Sequence, residues 1–294
     1  MLNKLTTEAQ NSKTMDLDMM SIHDILKVMN EEEGHVPRAV SKELNNIEKI
    51  VKNTIRSLNA GGRLIYLGAG TSGRLGILDA VECVPTFNVS SDQVIGLIAG
   101  GKEAFTESVE GAEDNEWMGA NDLEAIALTD RDMVIGLAAS GRTPYVVGGL
   151  KYARKLGAQT ASVSCNKNAP ISQFADTAVE VKTGPEVLTG STRLKAGSAQ
   201  KLILNMISTA SMIGIGKVYK NLMVDVLPTN QKLVERSKRI ITQATDVNES
   251  KAEEYYKKAN RNVKAAILMI LLGCSLEEAE ERLKSAKGFI RKAL

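Results

Sequence analysis

Leu64-Ile65-Tyr66-Leu67-Gly68-Ala69-Gly70-Thr71-Ser72-Gly73-Arg74 is a short apolar run that breaks directly into glycines and hydroxyl residues. Such a run, bounded by glycine, reads as a buried strand, and the stretch after it reads as a helix that starts near Gly73. Four further apolar runs, Val94–Ile98, Met133–Ala138, Thr160–Ser164 and Thr177–Val181, follow at intervals with amphipathic segments between them. Together with Arg63–Leu67 they predict five strands. Strands that alternate with helices predict a doubly wound, mainly parallel α/β sheet.

Outward from the sheet the pattern turns helical on both sides. Ile22, Ile25, Leu26, Val28, Met29, Val40, Leu44, Ile47, Ile50, Val51 and Ile55 fall at helical spacing, which predicts helices that cover a core. A small-residue-rich helical stretch runs from about Lys195 to Asn221, and beyond Pro228 the chain reads as charged and wholly helical. The expected organisation is an N-terminal helical segment over residues 1–54, a central sheet domain over 55–220 and a small all-helical C-terminal subdomain over 221–294.

Composition narrows the function classes. With 37 basic against 35 acidic residues the net charge is +2, and no Lys/Arg-rich run exceeds a helix face, so nucleic acid and anionic membrane are poor partners. The most apolar run, Ala265 to Gly273, is too short to cross a bilayer, and Glu8, Asp16 and Asp18 stand where a secretion signal would be apolar. Cys83, Cys165 and Cys274 are an odd, widely spaced set with no CxxC pair, which fits a reducing cytoplasm better than a disulfide framework.

The glycines of the first junction carry the first chemical signal. Glycine lets backbone N–H groups approach an anion, and the following helix adds the partial positive charge of its N-terminus. Gly68, Gly70 and Gly73 satisfy GxGxxG, but that pattern is weak alone. The second strand runs into Ala99-Gly100-Gly101 without the acid that would grip a ribose, and Thr71 and Ser72 suit a terminal phosphate monoester.

The third strand repeats the device. Met133 to Ala139 leads into Ser140-Gly141-Arg142-Thr143-Pro144, with the proline placed for a helix's first turn. Loops at the carboxyl ends of parallel strands converge on one crevice. Gly70, Thr71, Ser72, Ser140, Gly141, Arg142 and Thr143 are therefore the expected phosphate-binding set. No His, Cys or Asp cluster has metal-ligand spacing, so no metal is expected.

Acids near such a cradle are candidates for proton transfer. Glu82 ends the helix that leaves the first junction, with Asp79 one turn earlier reading as a helix-surface charge. Glu113, in Glu110-Gly111-Ala112-Glu113-Asp114, reads either as a catalytic carboxylate or as a capping charge that opens a helix. His23 and His35 read as surface or packing residues, and Trp117 as a helix packing residue.

These segments resemble the N-acetylmuramic acid 6-phosphate etherases, bacterial enzymes with a sugar-isomerase (SIS) domain. The likeness rests on Leu5-Thr6-Thr7-Glu8 with Asn11, Gly68 through Gly76, Glu82-Cys83 with Pro85-Thr86-Phe87, Glu110 through Asp114 and Ala139 through Tyr145. It continues through Gly184 to Gly197 and Asn221 to Asp225, and so spans nearly the whole chain. Val84, where relatives usually carry a second proline, and Gln10, where arginine is common, depart from the pattern without removing a hydroxyl or carboxylate.

The resemblance implies cleavage of the D-lactyl ether of a muramic sugar phosphate, with no cofactor, and it carries the family's two acids onto Glu82 and Glu113. It also implies that the loop from Gly184 to Gly197 lies near the site, with Glu186, Ser191 and Lys195 as sugar contacts. SIS relatives further imply a homodimer that completes each site across its interface. A sugar-phosphate-sensing regulator and an aldose–ketose isomerase are the rival readings, and lactate release separates them from the etherase.

Overall fold

Five strands form one sheet in the order β2-β1-β3-β4-β5, every neighbouring pair parallel. They are β1 (Leu64–Gly68), β2 (Val94–Ile98), β3 (Met133–Leu137), β4 (Gln159–Ser164) and β5 (Thr177–Glu180), each within one residue of its expected ends. The computed structural model describes residues 5–107, 109–226, 228 and 231–294. Residues 1–4 of the expected N-terminal segment and 227, 229 and 230 of the expected C-terminal subdomain lie outside the described residues.

All five residues of β1 and of β3 are buried, whereas β5 at the sheet edge alternates between buried and half-buried. Helices on both faces explain why the central strands read as continuous apolar runs without alternation. The chain divides into two compact units, Met1–Ala80 with Asp92–Ser208 and Val81–Ser91 with Thr209–Leu294.

The first unit holds the sheet with α1 (Ile22–Glu33), α2 (Val36–Ser41), α3 (Leu44–Asn59), α5 (Glu103–Thr106), α6 (Glu116–Ala125), α7 (Pro144–Lys155) and most of α4 (Gly70–Phe87) and α8 (Lys195–Gly214). Its core gathers Ile65 and Leu67 of β1, Val134 of β3, Leu123 of α6 and Tyr145, Val146 and Leu150 of α7. At the opposite end of the strands Asp132 accepts the Arg63 backbone N–H at 2.8 Å and its guanidinium at 2.7 Å.

Three expectations need correction here. Asp79 is not a surface charge: it is 3% exposed and accepts hydrogen bonds from Tyr66 Oη at 2.9 Å and Ser208 Oγ at 3.2 Å, and burial pushes its carboxyl above the ordinary range. Helix α1 does not turn its whole apolar stripe inward. Val28 is buried, but Ile22 is 78% and Leu26 61% exposed. Trp117 is not a packing residue either, because α6 leaves it 78% exposed.

In the second unit the expected helix to Asn221 stops at Gly214, where Gly216 takes a φ of +82° that an L side chain resists. A two-stranded antiparallel ribbon, β6 (Val218–Tyr219) and β7 (Leu222–Met223), intervenes before the helices. Then come α9 (Gln231–Thr245), α10 (Glu249–Lys258), α11 (Val263–Leu272), α12 (Leu276–Ser285) and α13 (Ile290–Ala293). The side chains of Asn248, Asn262 and Ser275 accept N–H groups that α10, α11 and α12 would otherwise leave unpaired. Ile267 and Leu268 of α11 are wholly buried among Ile241, Tyr256 and Ala279.

Candidate functional site

Strand β1 ends at Gly68 and α4 begins two residues later at Gly70. A Cβ added to Gly68 would lie 2.8 Å from the Gly73 nitrogen, and one added to Gly73 would lie 2.8 Å from the Gly68 oxygen. These two glycines thus let helix and strand meet backbone to backbone. Gly70, with a φ of +51° and open space where a side chain would stand, makes the turn itself.

The junction after β3 has the same build. Gly141 has a φ of +72° with Ala169 packed where its side chain would be, its N–H donates to Ala138 O at 2.9 Å, and α7 starts with Pro144 in its first turn. Strand register pairs Gly68 with Leu137, so the two junctions leave adjacent strands. Between β1 and β3 the strand order reverses direction, which is where open α/β sheets hold ligands. Two helix N-termini begin there, each carrying partial positive charge.

The hydroxyls differ in exposure. Ser140 is half-buried and its Oγ accepts the Arg142 N–H at 3.3 Å, Thr143 is half-buried, and Arg142 is exposed. Ser72 is 5% exposed and its Oγ donates to Gln200 Oε1 of α8 at 2.9 Å. Thr71 lines a groove of about 450 Å³ with Arg193, Gly197, Ser198 and Lys201.

A separate cavity of about 320 Å³ opens beside the first junction, between Ala69, Gly70, Arg74 and Ala99 on one side and Glu107, Val109 and Glu110–Glu113 on the other. Arg74 shapes it, its guanidinium donating to Phe105 O and Glu107 O at 2.9 Å each. Glu113 is exposed on the wall, in a single 3-10 turn (Ala112–Asp114) entered through Gly111. It does not open α6 as expected. That helix starts at Glu116, with the Asn115 side chain accepting the Trp117 N–H at 2.9 Å. Gly70 and Glu113 therefore share one cavity, and Glu82 lies exposed on the last turns of α4, in the second unit.

Loop residues 184–197 are held from within. Glu186 is fully buried and its two carboxylate oxygens accept the N–H groups of Lys195 and Ala196, each at 2.9 Å, at the start of α8. Burial raises its pKa, against the pull of those two bonds. Lys195 is 2% exposed and donates to Glu32 Oε2 at 2.5 Å, while Lys13 reaches Glu32 Oε1 at 2.9 Å. Burial opposes ionisation of Glu32, but the two ammonium groups overcome it and hold its pKa at about 2. Ser191 is half-buried and its N–H donates to Leu188 O at 3.0 Å.

Residues 45–154 match the profile of the glucokinase regulatory protein N-terminal SIS domain, and residues 119–210 match that of the SIS domain. An N-acetylmuramic acid 6-phosphate etherase of Bacillus cytotoxicus is 68% identical over 294 residues, covering all of both chains. The chain belongs to the N-acetylmuramic acid 6-phosphate etherase family. Another family member, from a Geobacillus species, is 66% identical over the same full length. A phosphoheptose isomerase from Francisella tularensis superimposes with a TM-score of 0.50 at 13% identity, over 66% of this chain and all of its own, and shares the fold.

Several residues that hold these junctions and the 184–197 loop in place were not singled out in the sequence. Asn166, after β4, accepts the Thr6 N–H and hydroxyl at 2.9 and 3.0 Å and donates to Thr7 Oγ1 at 3.0 Å and Ala139 O at 3.1 Å. It fastens the N-terminal Thr6-Thr7 pair to the second junction. The motif around Thr6, Thr7 and Asn11 was the available signal for that contact; Gln200 and Glu32, isolated polar residues in helical stretches, offered none.

Proposed function

We propose that this chain cleaves the D-lactyl ether of N-acetylmuramic acid 6-phosphate to N-acetylglucosamine 6-phosphate and D-lactate in the recycling of cell-wall amino sugars. The observation that carries this is the 68% identity over the full length to an etherase. Glu82 and Glu113, each inside a motif that carries the sequence resemblance, are the proposed acid–base pair. Gly70, Thr71, Ser72, Ser140, Gly141, Arg142 and Thr143 are the proposed phosphate ligands, supported by the paired junctions and their two helix N-termini. Glu186, Ser191 and Lys195 are proposed to form the sugar-side loop, the first and last through the backbone they fix.

The chemistry follows from where protons are acidic. In the open-chain sugar, C2 is α to the C1 aldehyde and the lactyl oxygen sits on C3, β to it. One glutamate takes the C2 proton, the electron pair forms the C2–C3 double bond, and the C3–O bond breaks as the second glutamate protonates the leaving oxygen. Water then adds at C3 and a proton returns to C2. The carboxylates exchange roles between the halves, with Glu82 assigned as the C2 base in this scheme. We further propose that the active form is a cytosolic homodimer that completes each site across its interface. The buried or half-buried thiols fit a reducing compartment.

The decisive experiment is incubation with the phosphorylated muramic sugar in water labelled with heavy oxygen. Lactate should appear without label while the new C3 hydroxyl carries it, because the scheme breaks the C3–O bond. Label in lactate would mean displacement at the lactate carbon and would rule the scheme out. No lactate at all would favour the isomerase or the regulator. In the same assay Ser140→Ala should weaken use of the 6-phosphate sugar about tenfold or more, the worth of one hydrogen bond to a charged group. Equal turnover of the unphosphorylated sugar would remove the phosphate cradle.

A further inference from the structure

Ser72 stands in the first junction with its one hydroxyl hydrogen already committed, donated to Gln200 Oε1 at 2.9 Å. Gln200, in the second turn of α8, is fully buried, and its Nε2 has no hydrogen-bond partner among the described residues. A serine hydroxyl gives one hydrogen and accepts with its lone pairs, whereas a phosphate dianion accepts only. While Ser72 donates to Gln200, its hydroxyl has no hydrogen to offer a phosphate.

A carboxamide presents oxygen and nitrogen in nearly the same shape, so a half-turn of the Gln200 amide exchanges them without a change in packing. After the turn Nε2 donates to Ser72 Oγ, and the serine hydrogen is released for another acceptor. The turn trades an unpaired buried donor for an unpaired acceptor and still keeps one bond between the two residues. A bound phosphate, which gains the freed hydrogen, then decides the direction.

We propose that Gln200 is the positioning residue that sets the polarity of the Ser72 hydroxyl, its oxygen toward Ser72 as in this structure and its nitrogen toward Ser72 when a phosphate monoester is held. The inference rests on the phosphate-cradle reading above and adds a residue and a reversal that this reading lacks.

Binding of N-acetylglucosamine 6-phosphate, followed by calorimetry on the full chain, tests it. Glutamate copies the shape of Gln200 but, ionised, only accepts, so Gln200→Glu should hold the serine hydrogen and weaken binding about tenfold or more, as Ser72→Ala does. Gln200→Met neither holds nor directs that hydrogen and should cost less, about threefold. A glutamine that merely tied α8 to α4 would give the opposite order, because glutamate keeps the tie and methionine breaks it; that order would overturn the proposal.

Charge repulsion by the new carboxylate is separated by a double-mutant cycle. On the Ser72→Ala background Gln200→Glu should add no further loss; the same loss as in the wild type would overturn the proposal. Should Gln200→Glu not fold, the Gln200 side-chain amide signal in NMR, assigned by its loss in Gln200→Met, answers instead. A shift on adding the sugar phosphate supports the reversal, and an unmoved signal overturns it. If Ser72→Ala binds as the wild type does, the serine is no phosphate ligand and the cradle reading falls as well. If Ser72→Ala weakens binding while Gln200→Glu does not, the inference alone falls.

Discussion

Glu113→Gln is expected to lower turnover by about 10²–10⁴ with the protein still folded, and Glu82→Gln by a similar factor, because a positioned proton-transfer group contributes on that order. Both side chains are exposed, and no hydrogen bond or ion pair of either is among the contacts that hold the described residues together, so glutamine should leave stability within about 0.5 kcal/mol. An amide keeps the volume but exchanges no proton. Substrate affinity should change far less than turnover, since the proposed phosphate ligands are other residues. The measurement is lactate release at saturating substrate beside a thermal unfolding curve. Near-native turnover in either variant would take that glutamate out of the mechanism.

Lys195→Met is expected to be the most destabilising of the changes considered, about 3–5 kcal/mol at neutral pH, because it leaves the Glu32 carboxylate buried without its inner partner. Lys13, half-exposed at 2.9 Å, remains, which places the expected loss near the lower figure. The sign of the pH dependence follows from the depressed pKa. Glu32 ionises at about 2 in the folded chain against an ordinary 4.5, so its contribution is present above pH 4.5 and is lost as pH falls toward 2. That difference corresponds to on the order of 3 kcal/mol. Urea unfolding across pH 2 to 7 should therefore show the wild type losing stability over this window, with Lys195→Met weaker at pH 7 and flatter below it. A variant as stable as the wild type at pH 7 would show that the pair holds nothing together.

The strands were legible because the central ones are buried on both faces. A parallel sheet turns Leu64–Leu67 and Met133–Leu137 into unbroken apolar runs, and glycine at each carboxyl end marks where the run stops. The two junctions were legible for the same reason. What failed were side chains whose environment is set from far along the chain. Asp79 has the spacing of a surface charge, but Ser208, 129 residues on, supplies a hydroxyl that keeps it inside. Glu186, proposed above as part of the sugar-side loop, gave no local sign that its carboxylate caps the start of α8. Ile22, Leu26 and Trp117 show the converse error. Helical spacing identifies an apolar face but not whether the chain itself covers it.

The fastening of Thr6 and Thr7 to Asn166 also sets a schedule for the growing chain. At about 5–20 residues per second, Asn166 is polymerised on the order of ten seconds or more after Thr6. The leading segment must stay unpaired for that interval, and Thr6-Thr7-Glu8-Ala9-Gln10-Asn11-Ser12, almost without apolar side chains, is suited to wait in water. Its docking then depends on the sheet, because Asn166 directly follows β4, which pairs with β3, and it also donates to Ala139 O just after β3.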